Sequence, residues 1–359
     1  MQTDKKILNS DERAVFALRS LHNGYGYQRY KMSRFEEYDL YVRNKDFLLS
    51  DQVITFTDHS GTLLALKPDV TLSIIKNTQD TPGTVQKFYY NENVYRVAKG
   101  SSGFQEIMQA GLECIGDLTD YEIGEVVLLA AKSLSLIAED FVLDISHMGL
   151  VSAVLEQSGL SGEGRRKALA CLHGKNRHEL QAVCAAEGAR AEGLMCLLDG
   201  DADTLTGDAA AAWQELRRLR ELLEKSGYAG RVRVDFSVGN DLKYYSGVVF
   251  NGYIDGVPES VLSGGRYDKL LRKMGRQDSA VGFAIYVDLL QRLEKAADRF
   301  DTDAVLLYNG EETETVMAVA ERLRTEGTVL AARQRPVGRA WRRLYEIRGG
   351  EAVLIENNG

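Results

Sequence analysis

Proline is scarce in this chain, with four residues in 359, and cysteine is equally sparse at four. With 44% apolar residues, that composition excludes collagen-like repeats and a disordered chain. The cysteines, Cys114, Cys171, Cys184 and Cys196, stand 57, 13 and 12 residues apart and form no CxxC pair. This excludes a disulfide mini-scaffold and predicts reduced structural thiols. Cys171, His173, His178 and Cys184 match no zinc-ligand spacing, so no metal is expected. Long apolar runs are also missing. The longest, Val126 to Ala138, is broken by Lys132, Ser133 and Ser135 and falls short of the roughly 18 residues a membrane span needs. Nor does an apolar segment follow Met1 to Lys6, which predicts no signal peptide, no membrane association and a cytoplasmic location.

Positive charge is in deficit, with 44 Lys and Arg against 52 Asp and Glu for a net charge of -8. Phosphate binding draws on clustered cations, so this balance argues weakly against a nucleic-acid partner. The densest basic stretch, Arg335 to Arg343, reads as a solvated face. A chain of this length buries a sizeable core and holds two or three domains.

Element signals are clearer than the charge. Ser10, Asp11 and Glu12 open a helix with Ala14, Val15, Leu18 and Leu21 on one face, and Gly24 closes it. Asp51 to Leu66 reads as a hairpin turning at His59-Ser60-Gly61, and Pro68 suits the start of a helix reaching Asn77. Two long strands follow between Gln86 and Gly116, joined by the flexible Lys99 to Gly103. A helix with an acidic start spans Tyr121 to Ala138. Residues 149 to 226 become Ala-rich and helical, with short Gly breaks, and read as an insertion. Strands return at 231–236, 244–254 and 261–265, and a helix is expected near Val287 to Ala297. The tail predicts a strand at 303–308, a helix at 312–326, and strands at 328–332 and 352–355.

Strand alternation singles out one surface. Along Phe104 to Cys114 the even positions are Phe104, Met108, Ala110, Leu112 and Cys114, while Gln109 and Glu113 share the odd face with Gly111 between them. An amide and a carboxylate flanking a side-chain-free residue leave room for a small polar ligand. The pattern alone leaves open an ordinary solvent-exposed face. Arg96 reaches the same surface if the two strands pair as an antiparallel hairpin, where a guanidinium can take a carboxylate bidentately. The adjacent Tyr244 and Tyr245 are expected to face opposite sides of a strand, and Gly264-Gly265 reads as a tight strand-to-helix junction.

Together these segments resemble the class II aminoacyl-tRNA synthetases, and histidyl-tRNA synthetase in particular. FTDHSGTLLALKPDVT is similar to that family's hairpin and LRPE-x-T segment. FYYNENVYR with FQEIMQAGLECIG resembles motif 2, NDLKYYSG resembles RGLDYYTG, and SGGRYDKLL with AVGFAIYVDLL resembles GGRYDGL and motif 3. The resemblance implies an α+β fold, in which a synthetase-like antiparallel sheet is flanked by helices. It further implies a helical insertion at about 149–228 within a 1–298 core domain, and a small C-terminal α/β domain at 299–359. Carried over, it implies that Asp69, Thr71 and Gln109 hold the α-amino group of histidine, Arg96 faces its carboxylate, and Glu113 and Tyr245 grip the imidazole, with Tyr244 beside them.

The departures point away from catalysis. Asn240 stands where the family has the arginine of RGLDYY, Asp288-Leu289 where motif 3 ends in Glu-Arg, Ala98 at the acid of the R-x-E pattern, and Gly103 and Gln105 at loop arginines. Adenylate formation concentrates negative charge that fixed cations must stabilise; losing one such donor costs about 10² to 10³ in rate. Ligand groups kept and reaction groups lost resemble the ATP phosphoribosyltransferase regulatory subunits, a synthetase-derived family. That resemblance implies a non-catalytic subunit of histidine biosynthesis with no cofactor and no tRNA. It would self-associate as a dimer, join the short-form catalytic subunit (HisG) in a hetero-octamer, and respond to L-histidine by feedback inhibition. The alternatives are an active histidyl-tRNA synthetase or another amino-acid-binding paralogue.

Overall fold

The computed structural model describes residues 8, 10–48, 52–97, 103–238, 244–293 and 300–358. The chain divides into two compact units, Met1–Leu293 and Glu294–Gly359. The expected domain boundary at 298 lies outside the described residues.

The first unit opens with α1 (Ser10–Gly24), β1 (Gln28–Arg29), β2 (Phe35–Glu37) and α2 (Tyr38–Arg43), followed by β3 (Thr55–Thr57), β4 (Leu63–Leu66) and α3 (Thr71–Lys76). The long strands β5 (Val85–Val97) and β6 (Phe104–Gly116) lead to α4 (Asp120–Ile137) and β7 (Phe141–His147). Five helices come next: α5 (Met148–Gln157), α6 (Gly162–His173), α7 (Arg177–Glu187), α8 (Glu192–Asp199) and α9 (Asp208–Leu223), the last continued by a π-helical turn to Tyr228. They are the helical insertion. The unit closes with β8 (Val232–Val234), β9 (Val248–Ile254), β10 (Leu262–Arg266), α10 (Asp268–Lys273), β11 (Ser279–Tyr286) and a 3-10 helix, Val287–Leu293.

Eight strands form one sheet in the order β1-β5-β6-β11-β10-β9-β7-β8, antiparallel from β5 through β7 with a parallel strand at each edge. Its two faces bury different things. Ala110, Leu112 and Cys114 of β6 meet α1 and α4 in a largely apolar core with Leu18, Val126 and Leu129, into which His22 and Ser133 are also buried, 3.4 Å apart. The opposite face, with Tyr90, Val94 and Ile115, packs under α3 through Leu72, Ile74 and Ile75. α4 is started by a capping box: the Thr119 side chain accepts from the Tyr121 amide, and the Thr119 amide donates to Glu122 at 2.9 Å. The β3-β4 hairpin turns where Asp58 accepts from the amides of Ser60 and Thr62 and Gly61 takes φ +86°.

Several expectations need correcting. The helix after Pro68 starts only at Thr71, because Asp69 uses its side chain to accept the Leu72 amide at 2.9 Å, which fixes the helix start after Val70. The segment after Val287 is a 3-10 helix over its described length. β7 and β11 were unsignalled because both are buried on two sides, so no alternation shows; SAVGFAIY reads as a continuous apolar run. β2 pairs with β4 and makes the hairpin a three-stranded sheet.

The second unit orders its strands β13-β12-β14-β15, with β12 (Thr302–Leu307), β13 (Val329–Ala332), β14 (Trp341–Arg348) and β15 (Glu351–Asn357), and α11 (Thr313–Arg324) between the first two. Its small core joins Leu306, Val319, Ala320 and Ile347. The basic stretch read as a solvated face belongs partly to β14, which buries Leu344 and Ile347 on either side of a register shift while its arginines stay at least partly exposed.

Candidate functional site

On the α3 side of the large sheet, one cleft contains about 730 Å³ of unfilled space, part of it open to solvent. All seven residues singled out by sequence, Asp69, Thr71, Arg96, Gln109, Glu113, Tyr244 and Tyr245, line it together with Phe47, Tyr90, Tyr267 and Tyr286.

The β5-β6 hairpin sets the floor. Tyr90 pairs with Gly111 and Glu92 with Gln109, so Arg96, Gln109 and Glu113 rise from the same face of adjacent strands, each at most 6% exposed. Gly111 does not leave an open hole. A Cβ there would stand 2.5 Å from the Tyr90 hydroxyl, so the missing side chain makes room for that ring.

Glu113 is the centre of the polar network. Its Oε1 accepts from the Thr71 hydroxyl at 2.8 Å and its Oε2 from the Tyr267 hydroxyl at 2.5 Å. Gly282 lies directly opposite on β11, and a Cβ at that position would be 1.8 Å from Oε2. Only glycine lets this carboxyl lean across the neighbouring strand. Burial pushes the Glu113 pKa up to about 8, against the pull of the two hydroxyl donors, and the nearby Asp69 pushes in the same direction. Asp69 is also raised by burial, with the Leu72 amide and the Arg96 guanidinium opposing. Arg96 is held over the Tyr286 ring, 6.0 Å from its centroid, and donates to the Pro68 carbonyl at 3.4 Å.

Aromatic rings close one wall. Tyr244 and Tyr245 do not alternate across a strand, because β9 begins only at Val248. Both rings turn to the cleft, with centroids 4.8 Å apart at 73°. Tyr244 also meets Tyr267 and Phe47 at 5.8 and 5.9 Å. Gly264 and Gly265 lie inside β10 rather than at a junction; a Cβ on Gly265 would come within 2.7 Å of the Tyr245 ring.

The arrangement suits a small zwitterion with an additional nitrogen-bearing group. Carboxyls line one side, a guanidinium stands ready for an anionic end, and tyrosines provide flat walls with hydroxyls. Tyr267 and Gly282 escaped residue-level reasoning. The signal for Gly282 was its register opposite Glu113, which only the pairing reveals.

The reaction-bearing positions give a different picture. Asp288, at the end of the motif 3 segment, uses Oδ2 to accept the Met108 amide at 2.7 Å, tying the 3-10 helix to β6. Asn240 and Ala98 lie outside the described residues, while Gly103 and Gln105 are exposed. Among the described residues no group of three metal-ligating side chains occurs, and no helix is long and apolar enough to cross a membrane.

A family model for histidyl-tRNA synthetase matches residues 7–290. The chain belongs to the histidyl-tRNA synthetase family. Within this family it is 28% identical over 337 residues to the ATP phosphoribosyltransferase regulatory subunit of Clostridium kluyveri, covering 87% of this chain and 86% of that one. A Bacillus halodurans C structure described as an ATP phosphoribosyltransferase regulatory subunit/histidyl-tRNA synthetase is similar with a TM-score of 0.71 at 25% identity, over 92% and 90% of the two chains. The Thermotoga maritima HisG:HisZ ATP phosphoribosyl transferase complex shares the fold with a TM-score of 0.61 at 19% identity, over 76% of this chain and 96% of that one. The family fold is thus an α+β core with its sheet flanked by helices.

Proposed function

We propose that this chain is a non-catalytic regulatory subunit of ATP phosphoribosyltransferase that holds free L-histidine in the cleft. In this reading the short-form catalytic subunit HisG requires it for activity and is feedback-inhibited through it. The observation that carries the reading is a contrast: Thr71, Arg96, Gln109 and Glu113 line one cleft, as an amino-acid cradle requires, while the motif 3 position of a phosphate-binding arginine is Leu289, beside an Asp288 engaged with the backbone. The descriptions of the Clostridium kluyveri and Bacillus halodurans C relatives support it, and the Thermotoga maritima complex supplies the expected kind of partner.

Asp69, Thr71 and Gln109 receive the α-amino group, Arg96 the carboxylate, and Glu113 with Tyr245 the imidazole, with Tyr244 packing behind. A protonated Glu113 donates to an unprotonated ring nitrogen; an ionised one accepts from a ring N–H. Histidine inhibits only so far as it binds the inhibited complex better than the active one, typically by about 1–3 kcal/mol.

Co-expression with HisG tests the proposal. Phosphoribosyl transfer should depend on the presence of this chain and fall on adding L-histidine, and the purified chain should catalyse no ATP–pyrophosphate exchange. Robust exchange, or transfer indifferent to this chain, would overturn it.

A further inference from the structure

The helical insertion grips both flanks of the chain that delivers the tyrosine pair. On the upstream flank, the Trp213 ring of α9 meets Phe236, itself 2% exposed, at 6.3 Å. Lys175, in the turn between α6 and α7, donates its Nζ to Asp235 Oδ2 at 2.6 Å. The other Asp235 oxygen accepts from the amide and hydroxyl of Ser237 at 2.9 and 2.7 Å, so this one carboxylate shapes the turn and anchors it to the insertion. On the downstream flank, the Met148 amide at the start of α5 donates to the Gly247 carbonyl at 2.9 Å, and His147 faces Glu215 of α9 at 3.4 Å. Tyr244 and Tyr245 lie between these two holds.

Lys175 is also the only non-glycine among the described residues with positive φ, at +51°. That conformation closes α6, where the Asn176 amide donates back to the Cys171 carbonyl at 2.8 Å. From this turn the ammonium reaches Asp235.

We infer that the insertion is a positioning element for the cleft, and that Lys175 and Asp235 are positioning residues that fix the 235–238 turn upstream of Tyr244 and Tyr245. Neither touches the cleft. Their effect on ligand binding rests on the proposed histidine site, whereas their effect on the segment itself does not.

The test uses the full chain with Lys175→Glu, which sets like charges against each other, and Lys175→Arg, which keeps the pair. In the ligand-free protein, amide hydrogen exchange across 235–238 and 244–247 should quicken by about fivefold in Lys175→Glu, the factor an exposed ion pair can carry, and stay at the wild-type rate in Lys175→Arg. Exchange in β5 and β6 and the melting midpoint should not move. Wild-type exchange across 235–238 and 244–247 in Lys175→Glu, or a fall in the melting midpoint that speeds exchange everywhere, would overturn the inference. Calorimetry then separates the two readings. L-Histidine binding should weaken about fivefold in Lys175→Glu and be restored in Lys175→Arg; equal affinity in all three proteins would overturn the coupling to the cleft. If the wild type binds no histidine, the proposed function fails, and the exchange result still decides the positioning role.

Discussion

The two ends of the short helix α3 are built on opposite electrostatic plans. At its C-terminal end Arg276, 8% exposed, donates to the Ile75 carbonyl at 3.1 Å, to the Thr78 hydroxyl, to Asp80 at 2.5 Å and to Asp278 at 2.7 Å. Every direction of that guanidinium meets an acceptor, two of them charged. At the N-terminal end Glu113 is more deeply buried, yet its hydrogen bonds come from two neutral hydroxyls, and the nearby Asp69 acts on it with like sign. One end spends its polar groups on holding the fold. The other keeps a poorly compensated acid facing a cleft, a cost that a bound cationic or hydrogen-bonding partner can offset.

The comparison breaks most visibly at Arg276. Arg276→Met leaves the exposed Asp80 and the more buried Asp278 without their cation and the Ile75 carbonyl without its donor, and should cost about 2–3 kcal/mol of stability, read as a lower urea midpoint. A loss confined to ligand affinity would show that the two ends do the same job. At the cleft the balance should reverse. Glu113→Gln should weaken L-histidine binding by about 1.5–3 kcal/mol in calorimetry. Its urea midpoint should hold or rise, because a costly buried acid is gone.

The pH dependence sharpens this further. The folded-state pKa of Glu113, about 8, lies above its ordinary 4.5, so between those values the folded chain keeps a proton that the unfolded chain releases. Wild-type stability should therefore fall as pH rises from about 4.5 to 8, and Glu113→Gln should lose that part of the slope. Parallel melting curves for the two proteins across the range would mean that burial does not raise this acid. The smallest effect belongs to Tyr267→Phe, which removes one hydroxyl from Glu113. It should cost about 1 kcal/mol of histidine affinity and leave the Arg276 junction untouched.

How much of this was legible depended on sequence distance. The β5-β6 hairpin was readable because its alternation is local and its connection short, and Gln109 and Glu113 fell on one face by counting alone. The donors to Glu113 were not readable from that strand: Thr71 is 42 residues away and Tyr267 154, and only the closed sheet brings them together. Gly111 misled for the same reason, since whether a missing side chain opens a pocket or admits a neighbouring ring depends on Tyr90 across the ladder. Strands buried on both faces, β7 and β11, lose the alternation that marks a strand, and β14 hides two core residues among arginines. The tyrosine pair reads as part of a strand, yet it precedes β9 and lines the cleft.

Gly282 binds the histories of two strands together. While the acid at 113 leans across the ladder, no methyl group can be added at 282; while 282 stays bare, a shorter residue at 113 would leave a void beside Tyr267. A lineage that exchanged its ligand for one needing no acid there would have to alter both positions nearly at once. The empty spot on one strand is thus the mould of the carboxyl on its neighbour.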